Sequence, residues 1–212
     1  MLQPLVPEKL EVQTFEGTSW VGVVPFRMVD VAPRGAPALP AFPEVNLRLY
    51  VEAEGRPGVW FLSLDATNPL VVGAGRRLLH LPYHRADIAF AETPDGHACA
   101  SVRRGTGVAF RATYASTGPV GEALPGSLEH WLTERYCLYA ETPTGRLLRT
   151  EVHHAPWPLQ PARAVVTHNE LGVPHGVQLD GPPALVHVSR RIDVVAWLPR
   201  AVGRARTAPS AR

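Results

Sequence analysis

The chain has 212 residues, 45% of them hydrophobic and 19% charged, which is enough to bury one substantial core and too little to need two. Its 21 Lys and Arg exceed its 19 Asp and Glu, but four of the arginines fall within the last 13 residues. The rest of the chain carries a slight negative formal charge, so a nucleic-acid-binding surface on the folded body is not predicted. We expect a single domain over residues 1–203 and a frayed basic tail over residues 204–212.

The amino-terminal residues lack a basic segment followed by an apolar one, and no stretch approaches the roughly 18 apolar residues of a membrane-spanning helix. The two cysteines, Cys99 and Cys137, stand far apart and lack metal-ligand spacing. They are predicted to be buried thiols in a reducing compartment, without a disulfide. The sequence therefore favours a cytoplasmic protein without a membrane partner, and its 20 arginines against one lysine, Lys9, suggest a GC-rich bacterial genome.

Most of the predicted elements are short strands. The 22 prolines and 18 glycines divide the chain into segments that alternate apolar and polar residues with a period of two, as half-buried strands do. Many short antiparallel strands with frequent turns are typical of a barrel or a sandwich. The predicted strands and hairpins are 10–15 with 20–31, 45–52 with 59–64, 85–92 with 98–103, 108–116, 136–141 with 147–153, and 185–189 with 192–197.

Two short helices are predicted to pack against the strands. The first begins with Asn68 as its N-cap and Pro69 at the first helical position, and it ends before Pro82. The second runs over residues 127–135. Apolar residues with a spacing of four follow the first helix at Leu70, Ala74 and Leu78.

Common catalytic and metal-binding signatures are absent from the sequence: GxSxG, HExxH and GxxxxGK[ST] do not occur. His80 and His84 are four residues apart, but Pro82 between them prevents a continuous helix. His153 and His154 are neighbours on a predicted strand end, where they point to opposite faces. Neither a metal nor a cofactor is predicted.

One polar row occupies alternate positions of the strand that begins near residue 44. If this row faces a barrel mouth, it supplies an acid, an amide, a cation and a phenol. An outward, solvated face is an equally good interpretation of the same alternation. The row consists of Glu44, Asn46, Arg48 and Tyr50.

A junction between a helix end and a strand start lies at residues 75–86. Pro82 stops the helix, so Tyr83 and His84 stand at a sharp turn of the chain. Such junctions often present side chains to a cavity, although a Tyr-His pair at this position is also compatible with sealing the core.

Four segments resemble the YqjF-like family of uncharacterised bacterial proteins, the domain of unknown function 2071. The likeness extends from about residue 2 to residue 199. That family is similar to the acetoacetate decarboxylase superfamily, whose members fold as a conical antiparallel β-barrel around an internal pocket. The resemblance therefore implies a mostly β protein with a few short helices and that barrel. The four segments are VGVVPFRM at 21–28, FPEVNLR at 42–48, FLSLDA at 61–66 and LPY at 81–83.

The superfamily's Schiff-base lysine has no counterpart here. In acetoacetate decarboxylases a Gly-Arg-Glu motif precedes a Pro-Lys motif, and here residues 75–77 read Gly-Arg-Arg before Pro82 and Tyr83. Tyr83 therefore stands at the lysine position, and His84 at the next one. A phenol does not form an iminium, so Schiff-base decarboxylation is not expected. Glu44 matches the glutamate of the superfamily's Tyr-x-Glu strand.

The resemblance implies a polar pocket for a small oxo acid, hydroxy acid or related carbonyl compound. An enzyme using acid-base chemistry is one hypothesis, with Glu44 as general base and Tyr83 as proton donor or oxyanion partner. A non-catalytic small-molecule-binding barrel and a structural or partner-binding protein are the alternatives, and the last requires the polar row to face solvent. A homo-oligomer is compatible with all three. The predicted catalytic residues are Glu44, Tyr83 and His84, and the predicted substrate-binding residues are Arg27, Asn46, Arg48 and Arg76.

Overall fold

A computed structural model describes residues 2–32, 35 and 37–203. The basic tail predicted over residues 204–212 lies outside the described residues. Two 3-10 turns, Gln3–Leu5 and Val173–His175, accompany the strands and helices. These are β1 (Glu11–Val12), β2 (Val21–Met28), β3 (Phe42–Ala53), β4 (Arg56–Ala66), α1 (Pro69–Leu78), β5 (Tyr83–Thr93), β6 (Gly96–Arg103), β7 (Ala109–Ser116), α2 (Leu128–Thr133), β8 (Cys137–Glu141), β9 (Leu147–His154), β10 (Gln160–Asn169), β11 (His187–Val188), β12 (Val194–Ala196) and β13 (Arg200–Ala201).

Strand β4 joins the parts of the sheet. Along one edge it pairs antiparallel with β3, which also pairs with β1 and β2. Its other edge is shared, since residues 59–60 pair with β8 and residues 64–66 pair with β5, both in parallel. A parallel pair needs a crossover connection, and α1 provides it between β4 and β5. The antiparallel arrangement predicted for the whole sheet is therefore wrong for these two pairs.

The protein is mostly β, as predicted, but its sheet is open. Its main path runs β11-β10-β7-β6-β5-β4-β8-β9-β12, and the two end strands do not pair with each other in the described part of the chain. Closure into a barrel requires the end strands to pair along their length, whereas β11 and β12 have only two and three residues. The closed conical barrel is thus not observed.

The strand predictions succeed where partners are neighbours in sequence. The hairpins β3–β4, β5–β6 and β8–β9 and the strand β7 form as predicted. Two predicted hairpins are wrong, because β1 and β2 both pair with β3, while β11 pairs with β10 and β12 with β9. Strand β10 was missed. No helix in residues 2–203 that the structure describes is long and apolar enough to cross a membrane.

The core has two parts, which lie on opposite faces of β3. Odd-numbered residues of β3 enter the strand-lined face, and even-numbered residues enter the helix-covered face beneath α1 and α2. The strand-lined face includes Val45, Leu47, Leu49, Cys99 and Phe110. The helix-covered face includes Phe42, Tyr50, Phe61, Val72 and Tyr83. The two cysteines are buried and unbonded to each other.

Helix α1 begins as predicted but buries different residues. The Asn68 side chain accepts hydrogen bonds from the backbone amides of Leu70, at 3.0 Å, and Val71, and Pro69 is the first helical residue. Its buried residues are Val72 and Gly75, whereas the predicted row of Leu70, Ala74 and Leu78 is exposed. Helix α2 is capped by Ser127 and ends at Thr133, two residues before its predicted end.

Candidate functional site

A buried hydrogen bond joins two of the predicted catalytic residues. The Tyr83 hydroxyl donates to Glu44 Oε2 at 3.0 Å, although the two strands that carry them are separated by β4. Ala66 of β4 lies directly opposite Glu44, and its small side chain leaves the path between them open. Glu44 is 2% exposed and Tyr83 is 8% exposed. The structure therefore brings Glu44 and Tyr83 together on the helix-covered face.

Burial sets the protonation of this pair. It raises the pKa of the Glu44 carboxyl to about 7, while the Tyr83 hydrogen bond, the Arg48 charge and the Asn46 hydrogen bond act in the opposite direction. The pKa of Tyr83 is raised well above its ordinary value by burial and by the Glu44 charge. Near neutral pH the carboxyl is poised between its two forms, whereas the phenol keeps its proton and acts as a donor.

The other members of the polar row continue from Glu44 along β3. Asn46 is 1% exposed, and its Oδ1 accepts a hydrogen bond from Arg48 Nε at 2.9 Å. The Arg48 guanidinium lies over the Phe61 ring, 5.4 Å from its centroid, and burial lowers its pKa. No carboxylate among the described residues forms an ion pair with Arg48. The row is thus largely buried, which contradicts the solvated-face interpretation.

Two glycines make room for these side chains. A Cβ at Gly75 of α1 would overlap the Tyr83 ring. A Cβ at Gly22 would lie 2.8 Å from the Tyr50 hydroxyl and 3.1 Å from Arg48 Cγ. Close approach of α1 and β2 to the row therefore depends on the absence of a side chain at both positions. Sequence reasoning missed these roles, although Gly75 is the glycine of the family-like motif.

Helix α2 covers the Tyr50 end of the row. The Trp131 ring lies 5.1 Å from the Tyr50 ring, and the Arg135 guanidinium lies 4.2 Å from the Trp131 centroid. Arg135 also bonds to the Gln13 side chain and, at 2.7 Å, to the Trp131 carbonyl. These contacts hold an aromatic cover over one end of the site.

The structure does not bring His84 to the Glu44–Tyr83 pair. Strand β5 begins at Tyr83, so adjacent residues point to opposite faces. His84 lies opposite Asp65 of β4, whose carboxylate forms a buried ion pair with Arg103 Nε at 2.9 Å. Burial and then the charges of Arg103 and Arg76, with a contribution from His175, lower the pKa of His84 to about 4.

Neither of the two remaining predicted substrate-binding arginines is hydrogen-bonded to the Glu44 or Tyr83 side chain. Arg27 is exposed and lies opposite Pro43, on the face of β2 and β3 away from Glu44. Arg76 is an exposed residue of α1, and its Nε donates to the Tyr83 carbonyl at 2.6 Å. Arg76 therefore positions the backbone of Tyr83.

Two surface clefts lie away from the Glu44–Tyr83 pair. One has a volume of about 380 Å³ and is lined by residues around Lys9 and Glu52, and the other, about 310 Å³, lies beside Arg56 and Tyr136. Neither is the internal pocket predicted from the sequence. Among the described residues, no group of three or more His, Cys, Asp or Glu side chains is arranged to hold a metal ion.

The family follows from comparison with known proteins. The model of the domain of unknown function 2071, described as an uncharacterized conserved protein, matches residues 1–193, and the chain belongs to this family. The uncharacterized protein YqjF of Bacillus subtilis strain 168 is 38% identical over 201 residues, which cover 93% of this chain and 83% of that protein. The family predicted from the sequence motifs is confirmed.

Solved structures of similar fold are acetoacetate decarboxylase-like enzymes. Acetoacetate decarboxylase from Legionella pneumophila has 13% identity and a TM-score of 0.62 over 95% of this chain and 79% of its own. The enduracididine biosynthesis enzyme MppR, complexed with the condensation product of pyruvate and imidazole 4-carboxaldehyde, has 17% identity and a TM-score of 0.62 over 94% and 81%. An acetoacetate decarboxylase-like enzyme from Sphingomonas wittichii RW1 has 16% identity and a TM-score of 0.53 over 92% and 80%. These likenesses show the fold.

Proposed function

We propose that this protein is an enzyme that binds a small oxo or hydroxy acid and, in an oxo acid, moves a proton at the carbon beside the carbonyl group, without a Schiff base. The observation that supports this most directly is the buried hydrogen bond between Tyr83 and Glu44, at 3.0 Å, with the Glu44 pKa raised to about 7. A general base works best when its pKa lies near the working pH.

Each partner of the pair has a separate task. The ionised Glu44 carboxylate takes the proton from the substrate carbon, and the electron pair of the broken C–H bond moves onto the carbonyl oxygen as an enolate. Tyr83 turns its hydroxyl from Glu44 to that oxygen and stabilises the developing charge by a hydrogen bond. The reverse transfer returns the proton, so the step balances without a redox partner.

Arg48 is the proposed anchor for the substrate carboxylate. Its Nε is bonded to Asn46 at 2.9 Å, which fixes the plane of the guanidinium and leaves its two terminal nitrogens without a hydrogen-bond partner among the described residues. A guanidinium edge matches a carboxylate with two parallel hydrogen bonds. The known complexes of the structurally similar MppR with pyruvate and with a pyruvate condensation product support an oxo acid as ligand class.

Exchange of carbon-bound hydrogen tests the proposal. Pyruvate and 2-oxobutyrate are incubated with the protein in deuterated water, and NMR measures the loss of the proton signal beside the carbonyl. We expect exchange above the buffer rate and a fall on the order of 100-fold in Glu44→Gln, since general-base catalysis contributes that much or more. Tyr83→Phe should fall similarly.

A matched variant controls for the loss of a buried phenol. Tyr139→Phe removes a hydroxyl that bonds to the Arg56 carbonyl at 2.7 Å, on the strand-lined face, and should leave exchange intact. Exchange that survives Glu44→Gln would reject the proposed base. Ligand-induced thermal stabilisation without any exchange would instead favour the non-catalytic binding protein.

A further inference from the structure

The unpartnered buried polar atoms of the helix-covered face are hydrogen-bond donors. Trp20 Nε1 and Arg85 Nε are both shut off from solvent, and neither has a hydrogen-bond partner in the described part of the chain. Trp20 packs against the cluster that contains Tyr50 and Phe61. On the strand-lined face the corresponding atoms include an acceptor, Asp65 Oδ2. Buried donors without partners are costly and rare in native proteins. An acceptor oxygen of a ligand would satisfy Arg85 Nε.

The register of the sheet places Arg85 in the same transverse row as Glu44. Arg85 of β5 lies opposite Ala66 of β4, which lies opposite Glu44 of β3. Two strand spacings separate the backbones of Arg85 and Glu44, about 10 Å. Arg85 follows Tyr83 by two residues and therefore shares its face. Between them the sheet carries only the methyl group of Ala66, which is itself fully buried.

Arg85 stands where this face passes from the interior to solvent. Tyr83, two residues before it, is buried, and Asp87, two residues after it, is exposed. Asp87 is the acid next to Arg85 on that face, and it is bonded to Arg104 at 2.6 Å. Arg85 forms no ion pair with any described residue. Its charge lowers the pKa of Asp87, after the larger effect of Arg104, and a ligand carboxylate at the exposed end of β5 would give it a direct partner.

Arg48 and Arg85 flank the pair from two directions. Arg48 is four residues beyond Glu44 on β3, a backbone separation of about 13 Å, and neither arginine has a carboxylate partner among the described residues. Arginine side chains are long enough to converge from such separations. Uncompensated guanidiniums near a buried site are unusual, because buried charges are normally paired.

We propose that Arg85 is a further substrate-binding residue and that the substrate is a short dicarboxylic acid, held by Arg48 at one end and Arg85 at the other. The carbon between the two carboxylates then lies beside Glu44 and Tyr83. This inference rests on the proposed function and specifies its substrate class.

Calorimetric titration of the full chain compares dicarboxylates with monocarboxylates of similar backbone. The probes are 2-oxoglutarate and succinate against 2-oxobutyrate and butyrate. We expect the dicarboxylates to bind at least about tenfold more tightly, since a charge-assisted bidentate contact easily supplies a factor of ten. In Arg85→Met, which keeps an unbranched apolar stem, the ratio of the two affinities should fall towards one.

The control is Arg111→Met, which removes an exposed guanidinium of β7 and should keep the wild-type ratio. Equal affinities in the wild type, or a ratio unchanged in Arg85→Met, overturn the proposal. If proton exchange is still lost in Glu44→Gln, only the dicarboxylate inference has failed. If exchange also survives Glu44→Gln, or if none of the four acids binds, the proposed function fails as well.

Discussion

Two buried acids one strand apart, Glu44 and Asp65, have different partners and therefore different chemistry. Asp65 on the strand-lined face is bonded to the guanidinium of Arg103 at 2.9 Å, and both side chains are almost inaccessible. Glu44 on the helix-covered face is bonded to a neutral phenol. Burial raises the pKa of both acids, but at Asp65 a full positive charge in contact opposes it. A contact charge suits a structural ion pair, and a neutral donor leaves an acid that can exchange its proton.

The largest expected effect comes from removing the charged partner of Asp65. Arg103→Met leaves a carboxylate buried without its counter-charge, so we expect a loss of about 3–5 kcal/mol in the free energy of unfolding. Denaturant unfolding monitored by circular dichroism measures it. Arg104→Met, at an exposed ion pair with Asp87, should change stability little. Similar losses in the two variants would show that the buried Asp65–Arg103 pair contributes no more to the free energy of unfolding than the exposed Asp87–Arg104 pair.

The pH dependence of stability isolates Glu44. Its pKa is about 7 in the folded protein against an ordinary 4.5, so the folded state binds the additional proton between these values. Stability from this group is therefore complete below about pH 4.5 and declines as pH rises to about 7, by up to about 3 kcal/mol. Glu44→Gln removes this decline. Unfolding of both proteins from pH 4 to 8 measures it, and parallel curves would mean that the carboxyl titrates normally.

The packing of Gly75 against Tyr83 predicts an intermediate effect on the free energy of unfolding. Gly75→Ala forces a methyl group against the Tyr83 ring, so we expect a loss of about 1–3 kcal/mol and weaker coupling between Tyr83 and Glu44. Gly73→Ala is the matched control in the same helix, because its Cβ would meet nothing closer than 3.9 Å. That variant should gain up to about 1 kcal/mol from helix propensity. Thermal unfolding distinguishes them, and equal responses would argue against close packing at Gly75.

The smallest expected effect concerns His84, because it is only half-buried. Its pKa of about 4 lies below its ordinary 6.5, so the unfolded chain binds the additional proton between these values. Stability from His84 is present above about pH 6.5 and is lost as pH falls towards 4, the opposite direction from Glu44. His84→Asn should flatten this acid-side loss. An NMR titration of the His84 ring gives the pKa directly. A value near 6.5 would show that Arg103 does not lower the pKa of His84.

The sequence predicted those features whose causes are local. Alternation located three hairpins because their strands are consecutive, and Asn68 and Pro69 marked the start of α1 because capping needs only neighbouring residues. The same reasoning failed at residues 185–197, where each short strand pairs with a distant one. Short segments carry too little information to specify a remote partner.

By itself, the sequence determined the family, the mostly β class and the residues Glu44 and Tyr83 as candidates. Only the tertiary structure decided that these two meet, because a separation of 39 residues along the chain is closed by the register across β3, β4 and β5. It also separated His84 from them: the predicted strand began at residue 85, whereas β5 begins at Tyr83. Side chains alternate along a strand, so the residue at which the strand begins decides which neighbour enters the site.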